Sequence, residues 1–354
     1  HRGLMKSVAS LNYEEVQDAM DGAPNEKVAP LVSEIIRPLY AAYAALKIAR
    51  AVRQPLELDL PERQIILDDM GKVSSVNYKE RLDAHRLIEE FMVLANVCAA
   101  ETLLAKKTPH LLRVHEEPTP EKLDALREVA NASGMQLAKG QVLQTAHLNR
   151  LLEQAKGTDH YEVINISTLR SMTQAYYNPE NFGHFGLALK AYAHFTSPIR
   201  RYPDLLVHRA IKAVLIGGTY DPGDWQQLGA QCSMTERRAD EATRDVTAWL
   251  KCYYMRDRVG ETFMGSIAGV AAFGAFVALD DVYVEGLVHI TELGGEYYRF
   301  DEVRQELRGE RTGVRYAVGS RVRVQVSRVD LDGRRIDFRL VHEPGAALRA
   351  GREK

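Results

Sequence analysis

The stretch His194-Phe195-Thr196-Ser197-Pro198-Ile199-Arg200-Arg201-Tyr202-Pro203-Asp204 runs into Leu205–Leu215, whose apolar spacing is typical of a helix. Ser197 followed by Pro198 predicts the helix start, because a hydroxyl caps free N–H groups and a proline there has no donor to lose. Pro203 cannot donate to the preceding turn, so we expect the entry to tighten or kink. The sequence therefore predicts a rigid, proline-flanked helix N-terminus.

Two adjacent arginines, Arg200 and Arg201, lie at this predicted N-terminus. The free N–H groups and the dipole of a helix N-terminus favour an anion. A guanidinium matches phosphate oxygens and stays charged throughout a catalytic cycle. The pair therefore indicates a phosphate site, and a plain pair of surface arginines at a turn is the alternative.

The string Ala191–Ala210 resembles the signature of the ribonuclease II and ribonuclease R (RNB) family of hydrolytic 3′→5′ exoribonucleases. Tyr202-Pro203-Asp204 and Met234–Asp245 resemble the ribonuclease R branch more closely than the ribonuclease II branch. The resemblance extends over nearly the whole chain, to about Val341. It implies that Arg200 holds the scissile phosphate and stabilises its developing charge, and that Arg201 flanks it or braces the loop.

The composition is that of an ordinary soluble globular protein of two or three domains: 354 residues, 45% hydrophobic, 27% charged, with a formal net charge of -2. Any grip on RNA must therefore come from local arginine clusters. Cys98, Cys232 and Cys252 are scattered, which argues against a zinc site or a disulfide framework and for a reducing, cytoplasmic location. We expect no membrane association, because neither a signal peptide nor an apolar run of about 18 residues is found.

The region before residue 259 is predicted to be mainly helical. Asn12 and Glu15 form a capping box. The further predicted elements, in chain order, are a helix over Pro30–Val52, a hairpin over Leu56–Asn77 that turns at Asp68–Gly71, a helix over Asp83–Lys106, helices within Pro118–Lys156, a helix over Ser167–Tyr177 and a strand over Asn181–Leu187.

The predicted helix Asp83–Lys106 is apolar on nearly every face, which is typical of a buried helix. Glu89 and Glu90 lie in its middle, and a buried carboxylate must be paired or carry a task. The resemblance implies that this helix bears a glutamate that contacts the ribose near the RNA 3′ end, a means of preferring RNA over DNA. Glu90 is favoured and Glu89 is the alternative, and either could instead lie on a narrow polar stripe.

Other candidate RNA contacts are open to a structural interpretation. His194, like His184, is expected more often as a satisfied core group than as a ligand. The resemblance nevertheless includes His194, Ser197 and Tyr202 among the substrate-binding residues. Arg237 lies on a charged helix, Met234–Arg258, with Glu241 at the i,i+4 spacing, which is typical of a solvated, salt-bridged face. The family resemblance implies instead that part of this helix lies along an RNA channel.

From Val259 onward the pattern becomes all-β, with five short strands, an Asp332-Gly333 hairpin signal and a helical insertion near Ile290–Leu293. This arrangement fits an OB barrel. Phe273–Val277 and Gly286–Ile290 resemble the S1 type of RNA-binding barrel. The RNA face implied by that resemblance has four members, Phe273, Phe276, His289 and Arg323. The alternative is that both phenylalanines are core residues.

The family resemblance also implies Mg²⁺, held by a cluster of aspartates, because phosphodiester hydrolysis is commonly assisted by two carboxylate-bound ions. That cluster does not occur in the sequence, where Asp68-Asp69 and Asp280-Asp281 read as turn residues. On a manual alignment, Leu58 stands where family members carry an aromatic that stacks on RNA. The chain also begins with His1 rather than methionine. We therefore expect the C-terminal portion of a longer enzyme, with the Mg²⁺ ligands upstream and no metal ligand in this chain.

The predicted fold class is α+β: residues 1–258 as the second half of an RNB catalytic domain, with helices packed on a mixed sheet, 259–342 as a five-stranded S1-type OB-fold barrel, and 343–354 as a disordered polar tail. The function that the resemblance implies is processive 3′→5′ degradation of single-stranded, and also structured, RNA to 5′-mononucleotides. The alternative is a non-catalytic RNA-binding fragment. The expected partner is RNA, with ribosome-associated quality-control factors as further candidates and a monomeric state.

Overall fold

A computed structural model describes residues 4–58, 63–78, 80–138, 142–280 and 282–341. The chain divides into two compact units. The first consists of His1–Leu56, Glu80–Glu116 and Gln174–Met234, and the second of Glu57–Lys79, Glu117–Thr173 and Thr235–Lys354. The predicted tail 343–354 lies outside the described residues.

The described α-helices are α1 Tyr13–Met20, α2 Arg37–Arg53, α3 Asp83–Ala105, α4 Pro120–Ala132, α5 Thr145–Ala155, α6 Tyr161–Ser171, α7 Tyr202–Leu215 and α8 Trp225–Arg256. The described strands are β1 Arg63–Leu67, β2 Val73–Tyr78, β3 Leu112–Val114, β4 Tyr176–Asn178, β5 Thr262–Ala271, β6 Gly274–Leu279, β7 Glu285–His289, β8 Tyr298–Asp301, β9 Glu306–Gly309, β10 Arg315–Ala317, β11 Arg321–Asp330 and β12 Arg335–Leu340. The α+β prediction is confirmed. No helix in the described ranges is long and apolar enough to cross a membrane.

The core of the first unit lies where α3 and α7 meet the antiparallel pair β3–β4. Its buried members are Ala99, Ala100, Leu103, Leu112, Val114, Ala191, Ala193, Val207 and Ala210. Small residues dominate the helical contributions, which lets the two helices approach the short strands closely. This packing fixes the segment between β4 and α7, which carries the two predicted catalytic arginines.

The prediction that α3 is buried on nearly every face is wrong. Ile88, Met92 and Leu94 are each about 40% exposed or more. The buried positions instead recur every three or four residues, at Ala84, Leu87, Glu90, Val93, Asn96, Ala99, Ala100 and Leu103. One helix face therefore packs inside the first unit, and two of its members are polar.

The predicted helix entry at Ser197 is also corrected. Arg201, with extended backbone, is the N-cap residue of α7, and Pro203 lies within the first turn. The N–H groups of the first helical turn have no partner within the helix, so a proline loses nothing there. Pro203 is therefore compatible with a regular start of α7, and the expected kink is not needed. The Ser197 carbonyl instead accepts hydrogen bonds from the N–H groups of Arg200 and Arg201, which closes a separate turn before the helix.

Two elements before that turn differ from the predictions. The helix expected over Ser167–Tyr177 ends at Ser171, and Tyr176–Asn178 forms β4, which pairs with β3. The strand expected over Asn181–Leu187 is a chain of turns with isolated bridges at His184. The capping box of α1 and the hairpin β1–β2 are confirmed, and the Asp68 carboxylate accepts two N–H groups within the hairpin turn.

In the second unit, the last region forms a closed barrel with strand order β11-β12-β7-β6-β5. Its neighbouring strands are antiparallel except β12 and β7, which are parallel. Val322, Val324 and Val326 point inward between exposed residues of β11, as their alternation predicted. The five-stranded barrel prediction is confirmed. The additional three-stranded sheet β10-β9-β8 was not predicted.

Candidate nucleic-acid interfaces

The turn before α7 is tied to one fully buried carboxylate, that of Asp204. Its Oδ1 atom accepts a hydrogen bond from the Ser197 N–H at 2.7 Å and another from Arg201 Nη2 at 2.8 Å. Both ends of the turn Ser197–Arg201 are therefore fixed to the same atom. Because charge-assisted bonds of this length are strong, the turn is held in a defined shape.

The two arginines of this turn have different environments. The Arg201 side chain is 22% exposed and forms the ion pair with Asp204. Arg200 is exposed, and its guanidinium forms no ion pair or hydrogen bond within the described ranges. The geometry therefore gives Arg201 a bracing contact and leaves the charge of Arg200 available to a ligand. Tyr202, which follows Arg201 in the chain, is also exposed.

His194 lies in a mostly buried aromatic cluster next to this turn. Its Nδ1 atom is 2.8 Å from the Tyr177 hydroxyl, and its ring meets that of Tyr192 edge-on. Burial, followed by the positive charges of Arg201 and Arg113, lowers the pKa of His194 to about 2. The imidazole is therefore neutral at ordinary pH, and the interpretation of a satisfied core histidine fits its contacts.

His184 is the second neutral histidine of the same cluster. Burial, then the neighbouring His115 and Arg113, lowers its pKa to about 3. Its Nδ1 atom accepts the N–H of Leu187, while Nδ1 of His115 accepts the N–H of Gly186. These imidazoles thus hold the turns between β4 and the arginines.

Sequence reasoning missed two polar residues that position this region, Asp204 and Asn96. The Asn96 side chain of α3 donates to the Tyr192 hydroxyl and accepts the Phe195 N–H, each at 2.9 Å. Both residues are buried. An amide among the apolar residues that follow Glu90 was the signal that could have identified Asn96, because a buried amide must find partners.

Glu90 is buried, as predicted for a carboxylate with a partner or a task, and its partners are on α2. Its carboxylate lies 2.9 Å from Arg50 Nη1 and 4.0 Å from Arg53 Nη2. Glu89 is more exposed and forms an ion pair with Arg81. The structure therefore gives both glutamates ion-pair partners, and Glu90 links α3 to α2.

In the second unit, three of the four predicted S1-face residues lie near one another. Phe273 is 51% exposed, and its ring meets that of the half-buried Phe276 edge-on at 5.9 Å. His289 is exposed and is the register partner of Gly274, which lies between the two phenylalanines in the sequence. Arg323 is exposed but pairs with Met264, whereas Phe276 pairs with Gly269 further along β5. The barrel thus presents an aromatic and imidazole cluster that does not include Arg323.

Arg237 is exposed on α8. Within the described residues it forms no ion pair with Glu241, so the expected salt bridge at that spacing is absent. Leu58 is partly buried and lies in an irregular segment before β1.

The described residues do not fit a magnesium ion. No group of three His, Cys, Asp or Glu side chains in them is placed to hold a metal. Asp68 is engaged by its own turn and Asp280 forms an ion pair with Arg321, while Asp281 lies outside the described residues. Mg²⁺ is usually bound through one or two carboxylates together with water and substrate phosphates, and the carboxylates of Asp68 and Asp280 are already engaged by a turn and by Arg321.

Comparison with known proteins places two family models on the chain. Residues 1–217 match the RNB domain and residues 256–340 match the S1 RNA binding domain. Ribonuclease R of Escherichia coli strain K12 is 43% identical over 99% of this chain and 45% of its own length. Ribonuclease R of Vibrio parahaemolyticus is 44% identical over 96% of this chain and 43% of its own length. The chain therefore spans less than half of each of these curated relatives.

A solved structure has a similar fold. It is Mycoplasma genitalium RNase R in complex with ribose methylated single-stranded RNA, which matches with a TM-score of 0.82 and 24% sequence identity. The match covers 93% of this chain and 53% of that chain. At this identity the similarity shows a shared fold.

Proposed function

This chain belongs to the RNB domain family, and from that premise we propose that it forms part of a hydrolytic 3′→5′ exoribonuclease of the ribonuclease R type. The observation that carries the proposal is the exposed guanidinium of Arg200, which has no ion pair or hydrogen bond among the described residues, on a turn that Asp204 fixes. In the proposed enzyme this chain supplies part of the RNA channel, the phosphate-stabilising arginine and the S1 barrel.

The proposed role of Arg200 follows from its electrostatics. Hydrolysis of a phosphodiester builds negative charge on the phosphate oxygens in the transition state. A guanidinium carried on a fixed turn stabilises that charge without reorganisation of the backbone. Arg201 is committed to Asp204 and therefore acts through the turn, and the neutral His194 adds no competing charge.

The proposed substrate is single-stranded RNA, degraded processively to 5′-mononucleotides. Exposed aromatic rings such as Phe273 stack on bases whatever their sequence, which suits an enzyme that retains a strand while it shortens. The proposal includes a contact between Glu90 and the terminal ribose. This contact would compete with the ion pairs that Glu90 forms with α2. Magnesium dependence is implied by the family alone, so the activity assay includes a chelator.

The test is Arg200→Ala in the whole protein that contains this chain. Turnover of a labelled oligoribonucleotide should fall about 100- to 1,000-fold, the cost of removing one transition-state donor, while RNA affinity changes only a few-fold. Arg209→Ala is the matched control, because Arg209 is an exposed arginine on α7. An equal loss of affinity and turnover would make Arg200 a grip residue, and unchanged turnover would reject the assignment.

A second candidate function is RNA binding without catalysis by this chain. The observation that favours it is the lack of a metal-ligand cluster within the described residues. Digestion of labelled RNA by the 354-residue chain, with magnesium and with chelator, separates the two. Binding without cleavage under either condition supports the second candidate for the chain alone, and cleavage that the chelator abolishes rejects it.

A further inference from the structure

Three arginines lie directly opposite one another on the sheet β10-β9-β8. The register pairs Arg299 of β8 with Arg308 of β9, and Arg308 with Arg315 of β10. Residues in register share one face of a sheet, and all three side chains are exposed. Because neighbouring strands lie about 4.8 Å apart, the three side chains leave the sheet within about 10 Å of one another. We call this set the arginine row.

The arginine row is electrostatically unfavourable on its own. Like charges directly opposite one another on a sheet are destabilising. Within the described ranges, none of the three guanidiniums forms an ion pair or a hydrogen bond. The nearest acidic row on the same face is Asp301 with Glu306, but Asp301 is paired with Arg304 at 3.0 Å and Glu306 is buried. A concentrated positive charge without a protein partner is a property of phosphate-binding surfaces.

The opposite face of this sheet is anchored, so the arginine row is held in place. The hydroxyls of Tyr298 and Tyr316 both donate to the Leu293 carbonyl, each at 3.1 Å. Leu307, between them on β9, is completely buried. The sheet therefore has one packed face, and the arginine row lies on the exposed part of the other face, so ligand binding needs no rearrangement of its backbone.

An exposed aromatic ring lies on the same face as the arginine row. Tyr297 is two residues before Arg299, so alternation places it on that side of the sheet, and it is 71% exposed. Its carbonyl accepts the N–H of Glu310, which extends the pairing of β8 and β9. Glu310 therefore adds one exposed carboxylate at the end of the sheet where Tyr297 lies. A ring beside several guanidiniums combines base stacking with phosphate contact.

We propose that Tyr297 and the arginine row form a second binding surface for the phosphate backbone of single-stranded RNA, separate from the Phe273–Phe276 cluster of the barrel. The inference rests on the proposed function for the identity of the ligand as RNA. The arginines contact phosphates and carry no base readout, and Tyr297 stacks on one base. This surface adds grip on a strand of any sequence.

The test measures the salt dependence of binding between the 354-residue chain and a labelled uridine oligonucleotide. The variant replaces Arg299, Arg308 and Arg315 by Gln. The control replaces Arg328, Arg334 and Arg335 by Gln, which removes the same net charge from the same unit. Arg328 and Arg334 of the control already have acidic partners, Asp330 and Asp245.

Three phosphate contacts contribute about 2 to the slope of log affinity against log salt, at roughly 0.7 for each contact with a single strand. The arginine-row variant should lose that part of the slope. Between 50 and 200 mM salt, the unaltered chain should therefore lose roughly sixteen-fold more affinity than the variant. The control should keep a slope close to that of the unaltered chain. Equal slopes in all three proteins would overturn the proposal and leave the arginine row to an anionic partner other than RNA.

A measurement of stability tests whether misfolding causes the change in salt dependence of the arginine-row variant. Removing three mutually repelling charges should leave the melting temperature at low salt unchanged or higher. Tyr297→Ala should weaken RNA binding while the salt slope stays the same, because stacking releases no counterions. If the unaltered chain itself does not bind RNA, the proposed function fails; if it binds and the row variant matches it, only this inference fails.

Discussion

The carboxylate of Asp204 and the guanidinium of Arg201 form a 2.8 Å ion pair within the first turn of α7. Asp204 is completely buried, whereas Arg201 reaches solvent with about a fifth of its side chain. The same carboxylate oxygen also accepts the Ser197 N–H. The pair therefore fixes the turn that presents Arg200.

Asp204→Asn should lower the free energy of unfolding by about 3 kcal/mol, near the low end for a broken buried pair because Arg201 is partly solvated. The amide keeps an acceptor for Ser197 but loses the charge that holds the guanidinium. Urea denaturation measures the change. The control is Asp257→Asn, which breaks the exposed Arg256–Asp257 pair and should cost under about 1 kcal/mol. Equal losses would contradict the bracing role.

Acid should destabilise the first unit through His194 and His184, whose pKa values are lowered to about 2 and about 3 mainly by burial. The unfolded chain takes up protons near pH 6.5, while the folded chain does not until far lower pH. The contribution of each histidine is therefore complete above about pH 6.5 and declines towards its folded pKa, at about 1.4 kcal/mol per pH unit.

His194→Gln should remove part of this pH dependence. Denaturation at a series of pH values between 7 and 4 should give a shallower decline in the variant than in the unaltered chain. His160→Gln, at an exposed histidine, is the matched control and should leave the decline unchanged. A variant that declines as steeply as the unaltered chain would show that His194 is already charged when folded.

Glu90→Gln should destabilise the protein more than Glu89→Gln. Glu90 is buried and lies against Arg50 and Arg53, so the lost charge-assisted bond should cost about 1.5–3 kcal/mol. Glu89 shares an exposed pair with Arg81, which should be worth under about 1 kcal/mol. Denaturant titration of both variants decides it. A larger loss of stability for Glu89→Gln than for Glu90→Gln would show that the contacts between Glu90 and α2 do not stabilise the fold as proposed.

Phe273→Ala should weaken single-stranded RNA binding by about 1–3 kcal/mol, the contribution of one stacked base, with little loss of stability. Its ring is about half exposed, so folding depends on it weakly. Phe276→Ala should reduce both affinity and stability, because this ring is half-buried. Phe182→Ala, at a ring of similar exposure, serves as the control in the binding titration. Unchanged RNA affinity in both S1 variants would place the RNA face elsewhere on the barrel.

Periodicity and turn chemistry predicted the elements whose signals are local. The capping box at Asn12 and Glu15, the hairpin at Asp68–Gly71 and the five barrel strands all appear in the structure. The sequence placed the start of α7 too early, because Pro198 and Pro203 are both compatible with a first helical turn. Only the contact of Asp204 with Ser197 and Arg201 selects between them, and that contact depends on burial.

The missed elements share a different cause. The short strands β8, β9 and β10 carry arginines on one face and few consecutive apolar residues, so no strong alternation marks them. The exposed face of α3 looked buried because Ile88, Met92 and Leu94 are apolar, although the structure leaves them in solvent. Residue type indicates a preference for burial, and only packing partners decide it.

The parallel contact between β12 and β7 joins Phe338 to Val288 and completes the barrel. This closure joins strands that are far apart in the chain, and we expect such a non-local pairing to form later in folding than the local hairpins. Until it forms, β7 and β12 each offer a free edge that another chain can extend, and in a chain without β12 the free edges are β7 and β11. A chain that ends before Arg335 should therefore form intermolecular β-aggregates rather than a smaller barrel, because no edge is left covered.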